Sequence, residues 1–90
     1  MKEYTINIDI YGSWHREPPV YRVYIDDEMI CERPFLGMET EFYREKILVE
    51  LDSGLHELRF EQLPMVHHRH ILKTTNLQLN GQPIESRFTV

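Results

Sequence analysis

The stretch EYTINIDIY, residues 3–11, alternates between polar and apolar side chains from Glu3 to Ile10. Successive side chains of a β-strand point to opposite faces of its sheet, so this alternation is typical of a half-buried strand. The polar face of the strand would carry Thr5, Asn7 and Asp9. The apolar face, which we expect to line the core, would carry Tyr4, Ile6, Ile8 and Ile10.

The same period of two recurs in three further segments, VYRVYI (20–25), MICERPF (29–35) and KILVEL (46–51). A short acidic turn, Asp26-Asp27-Glu28, separates the first two of these segments. Each segment has the length of an ordinary strand, and each is predicted to turn its apolar face inward. In the first and third segments, the residues predicted to point inward are Tyr21, Val23, Ile25, Ile47, Val49 and Leu51.

Two glycines mark predicted hairpin turns. The sequence Asp52-Ser53-Gly54 fits a three-residue turn that ends in a left-handed glycine, and Asn80-Gly81 is the favoured pair for a two-residue type I′ turn. The second hairpin would join strands at 75–79 and 82–90. Pro83 lies just after the turn and has no N–H to donate, so the last strand is predicted to start at a sheet edge.

One segment, GMETEFYREK at residues 37–46, has helical character. Thr40 is a suitable N-cap and Met38 and Phe42 are four residues apart, but an irregular loop fits the segment equally well. About seven short strands, with turns roughly every ten residues, predict an all-β fold. We expect one antiparallel β-sandwich over residues 1–90, with at most one short helix. A jelly-roll and an immunoglobulin-like strand order are both compatible with this pattern.

The chain has 10 basic and 15 acidic residues and a net charge of −5. Because a net negative charge does not neutralise phosphate, we expect neither nucleic acid nor an anionic membrane as a partner. No apolar run is long enough to span a bilayer, and the alternating N-terminal segment is unlike a signal peptide. Cys31 is the single cysteine, which excludes an internal disulfide.

An enzymatic function is not predicted. The sequence has no nucleophile-elbow motif and no glycine-rich phosphate loop. Cys31 lies in a predicted strand, where a buried thiol is usually unreactive. The acidic turn at 26–28 lacks the spacing of a calcium loop and is interpreted as a solvated hairpin tip. We therefore expect no catalytic residues and no cofactor.

Three histidines, His67, His68 and His70, crowd the segment PMVHHRHIL. If this segment were a strand, His68 and His70 would share a face and could chelate a metal, with a third ligand from His56 or Glu61. No other ligand stands at chelating spacing beside them, so we interpret the cluster as a polar loop and predict no metal site. A pH-responsive contact is the remaining alternative.

The segment YGSWHREPPVY, residues 11–21, is rich in residue types that occur at recognition surfaces. Tryptophan and arginine dominate interface hot spots, and aromatic rings on a loop can also stack on sugars. The alternative for Trp14 is a packing role, as a cap on the end of the core. The final RFTV, residues 87–90, could in addition offer an unpaired strand edge to a partner. The candidate partner-binding residues are Tyr11, Trp14, His15, Arg16 and Tyr21.

Residues 11–35, together with LDSGLHELRF at 51–60 and NLQLNGQPI at 76–84, resemble small β-sandwich proteins of tailed phages of marine bacteria, especially cyanophages. The resemblance implies a virion part in the capsid, neck or tail that binds phage structural proteins or copies of itself. The last hairpin is also similar to that of calcium-dependent xylan-binding modules, although only Gln78, Asn80 and Glu85 stand near the position of their calcium loop. A non-enzymatic, protein-binding sandwich is thus the first hypothesis, and a carbohydrate-binding module is the second.

Overall fold

Eight β-strands make up the regular secondary structure of the computed structural model, which describes residues 1–14, 17–37, 42–64 and 71–90. These ranges contain no helix. The strands are β1 (Lys2–Tyr11), β2 (Val20–Ile25), β3 (Glu28–Pro34), β4 (Tyr43–Leu51), β5 (Leu55–Gln62), β6 (Lys73–Leu79), β7 (Gln82–Pro83) and β8 (Arg87–Thr89).

The strands form two four-stranded sheets in which all neighbouring strands run antiparallel. The order is β4-β1-β6-β7 in the first sheet and β3-β2-β5-β8 in the second. Apolar side chains from both sheets form one shared core. The predicted all-β antiparallel sandwich is therefore confirmed.

The core is lined by the side chains that the period of two places on inward faces. Each of the inward positions predicted in β2 and β4 is at most 9% exposed. The three isoleucines of β1 are buried opposite them, at 2% exposure or less. Burying a side chain of this size contributes about 1.5–3 kcal/mol relative to leaving it in water. The core is completed by Phe35, Leu58, Leu72 and Phe88.

Of the two predicted hairpin turns, only Asn80-Gly81 joins paired strands, β6 and β7. The hairpin predicted at residues 52–54 is wrong, because β4 and β5 belong to different sheets and this turn crosses from one sheet to the other. Asn80 and Gly81 have φ angles of 49° and 81°, as a type I′ turn requires, and Asn80 Oδ1 accepts the N–H of Thr5 at 2.8 Å. Gly54 has a φ of 132°, which is positive but lies outside the left-handed helical region predicted for it. This conformation lets Gly54 exchange two backbone hydrogen bonds of 3.0 Å with Val90.

Replacing Gly81 with valine should lower the free energy of unfolding by about 1–2 kcal/mol, because a β-branched residue resists positive φ. A Cβ on Gly81 would meet no atom within 4 Å, so the cost arises from the backbone conformation and not from packing. Urea denaturation measures the loss. The control is Gln82→Val at the next, exposed strand position, which should cost less than about 0.5 kcal/mol. Equal losses in the two variants would show that the turn does not impose positive φ on residue 81.

Residues 43–46 belong to β4, so the helical alternative for residues 37–46 is wrong over this part. Arg44 and Lys46 face Asp9 and Asn7 across the ladder with β1. Glu45 points inward although it is charged, and this inward charge obscured the period of two in the sequence. Residues 38–41 lie outside the described residues.

Residues 82–90 do not form the single strand that the sequence predicted. The strand β7 starts at a sheet edge as expected, but it ends at Pro83, which cannot donate to a ladder. Residues 84–86 then cross to the second sheet, where β8 pairs with β5. The crossing places Phe88 in the core at 5% exposure, which a straight strand at the edge of the first sheet would not achieve.

Candidate functional site

Three loops meet at one end of the sandwich, which we call the loop end; the tight turns lie at the opposite end, the turn end. The described parts of these loops are residues 12–14 and 17–19 in the first, 35–37 and 42 in the second, and 63–64 and 71–72 in the third. The first two are joined by a hydrogen bond of 2.7 Å from the N–H of Phe35 to the carbonyl oxygen of Pro19. A side chain at Gly12 would run into Leu72, so the first and third loops are also in contact. These two contacts pack the described parts of the three loops together at the loop end.

Trp14 lies between the first two loops and is 38% exposed. Its indole N–H donates to the carbonyl oxygen of Gly37 at 3.1 Å, which holds the ring across the gap between the loops. The backbone of Gly37 rests on the ring of Phe35, because a Cβ on Gly37 would lie 2.5 Å from Phe35 Cζ. Since Phe35 is fully buried, the contact is anchored in the core while part of Trp14 stays in solvent.

Tyr11 forms a second aromatic contact at the loop end. It packs on Phe42 with ring centroids 5.7 Å apart, and the guanidinium of Arg44 lies 5.5 Å from the centre of the Phe42 ring. Arg44 is fixed in turn by Asp9, with Nε donating to Oδ1 at 2.8 Å. The aromatic pair is therefore held beside a charge whose position the first sheet determines.

Asp9 is the charged residue that organises the outer face of the first sheet. Its side chain is 5% exposed, and it accepts a hydrogen bond of 2.9 Å from Asn76 Nδ2 in addition to those from Arg44. Asn76 has a φ of 54° where the register between β1 and β6 shifts, and this bulge brings its amide beside Asp9. The hydrogen bond from Arg44 holds the pKa of Asp9 below its ordinary value, so the carboxylate stays charged.

The structure separates the five predicted partner-binding residues. Tyr11 and Trp14 lie at the loop end and are partly exposed. Tyr21 is fully buried in β2, so its predicted place on a binding surface is wrong: its ring packs on Phe60, with centroids 5.2 Å apart. The other two predicted residues, His15 and Arg16, lie outside the described residues.

Sequence reasoning missed three exposed side chains at the loop end. Leu36 is 65% exposed, Phe42 47% and Tyr43 37%. In the sequence these three are apolar residues in a segment that does not alternate with a period of two. Such a pattern does not distinguish an exposed loop position from the apolar face of a helix. Their place at the loop end follows from the course of the chain between β3 and β4, which the sequence pattern does not reveal.

Beneath the loop end, a buried polar contact joins the two sheets. The hydroxyl of Tyr21 donates to Glu45 Oε2, and Arg33 Nε lies 3.0 Å from Glu45 Oε1. Glu45 is 2% exposed and belongs to the first sheet, whereas its two partners belong to the second. Burial, and then the hydrogen bond to Glu45, raise the pKa of Tyr21 far above its ordinary value, so the phenol remains a donor.

The described residues contain no group of three or more His, Cys, Asp or Glu side chains that could hold a metal ion. The histidine cluster itself lies outside these residues, so its interpretation as a polar loop stays a prediction. That cluster is His67, His68 and His70. Both candidate third ligands have other partners, because His56 contacts Asp26 and Glu61 accepts from Arg59 Nη1 at 3.2 Å.

His56 links two turns at the turn end. Its Nδ1 is 2.5 Å from Asp26 Oδ2, and its Nε2 is 2.7 Å from the carbonyl oxygen of Asp52. The hydrogen bond to Asp26, followed by that to Asp52, raises the pKa of His56 above its ordinary value of 6.5. The same contact with His56 lowers the pKa of Asp26. Only a protonated imidazole donates from both nitrogens and so satisfies both acceptors.

Replacing His56 with glutamine should destabilise the fold by about 1 kcal/mol near pH 5.5 and by clearly less near pH 9. A raised pKa means that the contribution of His56 is fully present below 6.5 and is lost as the pH rises through the folded-state value. The lowered pKa of Asp26 means that its contribution is lost only when the pH falls below its ordinary value of 3.8. Thermal unfolding of wild type and variant at both pH values tests this. The other histidines cancel in the difference, and a difference independent of pH would contradict the assignment.

Cys31, on β3, is partly buried, and burial raises the pKa of its thiol. Arg33 Nε lies 3.4 Å from its sulfur and only partly offsets this effect. A thiol with a raised pKa is a poor nucleophile, which agrees with an unreactive role.

Comparisons with protein-family models, with curated proteins and with solved structures each found no match. No helix among the described residues has the length and apolar character that crossing a membrane requires. The geometry of the loop end is therefore the basis for assigning a function.

Proposed function

We propose that this protein is a non-enzymatic β-sandwich that binds another protein through its loop end. The observation that carries the proposal is the state of Trp14, which the hydrogen bond to Gly37 holds in place while 38% of the residue is exposed. A side chain fixed before binding loses little rotamer entropy when a partner covers it. Tryptophan is also among the residue types most enriched in binding hot spots.

The neighbourhood of Trp14 supports the same proposal. Exposed apolar side chains of Tyr11, Leu36 and Phe42 lie at the same end, and Arg44, whose side chain is 49% exposed, lies beside them. Apolar and aromatic residues with a charge at the margin are the usual composition of a protein-binding patch. The resemblance to phage β-sandwich proteins leads us to propose a virion structural protein as the partner, with this protein as an accessory part of the capsid, neck or tail.

Photo-crosslinking tests the proposal. A benzophenone amino acid replaces Tyr11 at the loop end or Leu55, which is 68% exposed at the start of β5, near the turn end. Both variants are irradiated in the cells that make the protein and in virions released from them, and cross-linked proteins are identified by mass spectrometry. We expect a discrete protein adduct from position 11 and none from position 55. Adducts from position 55 alone would contradict the proposal.

Carbohydrate binding is the second candidate function, favoured by the exposed part of the Trp14 ring, which could stack on a sugar. The last hairpin resembles that of calcium-dependent modules, but two residues near the position of the calcium loop have other partners in this fold. Asn80 Oδ1 accepts from the N–H of Thr5, and Gln78 Nε2 donates to Asn76 Oδ1 at 3.1 Å. A glycan array with wild type and Trp14→Ala separates the two classes. Binding to a defined glycan that the substitution abolishes would replace the protein-binding proposal.

A further inference from the structure

Among the described strands, three of the four sheet edges are short or interrupted. The strand β7 has two residues, one of which is Pro83, and β8 has three. The strand β3 ends at Pro34, and its pairing with β2 shifts register between Val23 and Tyr24. Short strands, prolines and bulges are the features by which natural sheets avoid pairing with other chains. These three edges are therefore poor templates for an added strand.

The fourth edge, β4, has none of these features. Its nine residues pair with β1 in one uninterrupted register, from Tyr43 opposite Ile10 to Leu51 opposite Lys2. Within the described ranges no strand pairs with its other edge. Leu48, near its middle, points away from the core and is 62% exposed. A long, regular and partly apolar edge is a template to which another strand can add.

Two charges of opposite sign flank Leu48 on the same outer face. Lys46 precedes it by two residues and Glu50 follows it by two, and alternation along the strand places all three on one side. Neither charge forms an ion pair with another described residue. The arrangement is self-complementary, because a two-fold axis through Leu48 would bring each lysine opposite the glutamate of the other strand.

We infer that β4 pairs with β4 of a second copy of this chain, antiparallel and in a register centred on Leu48. Leu48 then faces its own copy, and two Lys46–Glu50 pairs flank it at cross-strand contact distance. On the inner face Ile47 lies opposite Val49, so the two cores meet through apolar residues. The dimer would join the two first sheets into one sheet of eight strands.

The neighbouring registers satisfy fewer of these contacts. A register centred on Ile47 places Lys46 opposite Leu48, and one centred on Lys46 places two lysines opposite each other. A shift of the register by one residue would pair even-numbered with odd-numbered positions. Leu48, which points outward, would then lie opposite a residue that points inward, and the alternation of faces excludes this pairing. Charge complementarity and apolar pairing therefore select the Leu48-centred register.

The dimer is independent of the proposed function, but it determines how two loop ends would be oriented relative to each other. The strand β4 begins at the loop end and finishes at the turn end. Two antiparallel copies of β4 therefore direct their loop ends to opposite ends of the dimer, and the pair would present two Trp14 surfaces facing away from each other. Such a dimer would bridge two partner molecules, and its two subunits would not bind the same partner molecule.

Sedimentation velocity of the purified protein, without any partner, tests the inference. Because one strand pair buries little area, we expect a weak dimer with a Kd on the order of 100 μM. Leu48→Lys places two like charges opposite each other and should raise the Kd by about tenfold or more. The matched control is Leu55→Lys, at another exposed leucine, which should leave the Kd unchanged. A wild-type chain that stays monomeric at about 1 mM would overturn the inference.

A charge exchange tests the register. Lys46→Glu and Glu50→Lys should each raise the Kd by about tenfold, because each replaces two attractive pairs with two repulsive ones. The double variant should return the Kd to within about twofold of wild type, since opposite charges again face each other. Circular dichroism checks that all variants stay folded. Without rescue in the double variant, the Leu48-centred register is wrong.

Discussion

Replacing Phe35 with alanine should lower the free energy of unfolding by about 3–5 kcal/mol. The ring is fully buried in the shared core, so alanine leaves a cavity that the neighbouring side chains fill only in part. A domain of this size has roughly 5–15 kcal/mol of total stability, so the loss is a large share of it. The variant also loses the ring on which Gly37 rests, and with it the support of the carbonyl that holds Trp14.

Phe42→Ala is the matched control for this change. Phe42 belongs to the same loop but is 47% exposed, so its removal should cost less than about 1 kcal/mol. Urea unfolding followed by the fluorescence of the single tryptophan gives both values. Similar losses in the two variants would contradict the assignment of one ring to the core and the other to the surface.

Replacing Arg33 with alanine should lower the free energy of unfolding by about 2–3 kcal/mol. Its partner Glu45 is 2% exposed, and without Arg33 one carboxylate oxygen would remain buried without its counter-charge. The expected loss stays below the roughly 3–5 kcal/mol of a fully buried pair, because solvent screens the half-exposed Arg33 side chain.

Arg22→Ala provides the comparison that isolates burial. Arg22 Nε lies 2.7 Å from Glu32 Oε1, so this pair is at least as close as that between Arg33 and Glu45, but the side chain of Glu32 is 42% exposed. The substitution should cost clearly less than Arg33→Ala, because solvent screens an exposed ion pair. Equal effects at the two arginines would mean that the inter-sheet contact does not exclude water. Chemical denaturation of the two variants in the same buffer decides between these outcomes.

The strands β1 and β2 could be predicted because every inward position in them is apolar. The type I′ turn could be predicted because Asn80-Gly81 is the pair that best tolerates two positive φ angles in sequence. The course of the last residues could not be predicted from the sequence. It depends on Pro83, which ends the pairing of β7 with β6, and on Phe88, which packs in the shared core after the chain has crossed to the second sheet. The crossing involves contacts between residues far apart in sequence.

The candidate site was only partly predictable, and Tyr21 shows why. Its strand period places it on the inward face with Val23 and Ile25, whereas its closeness to Trp14 in sequence suggested an exposed loop residue. Burial follows the strand period, so the local pattern outweighs proximity in sequence. Glu45 is the opposite case: this charged residue occupies an inward position because Arg33 and the hydroxyl of Tyr21 contact its carboxylate from the other sheet.

Fluorine NMR tests directly whether a partner covers Trp14 at the loop end. The chain has one tryptophan, so protein labelled with 5-fluorotryptophan gives a single resonance that reports on this surface. The partner recovered by cross-linking is added unlabelled, and complex formation is followed independently by sedimentation. We predict that the resonance shifts or broadens in proportion to the complex formed. A complex that forms while the resonance stays unchanged would contradict the claim.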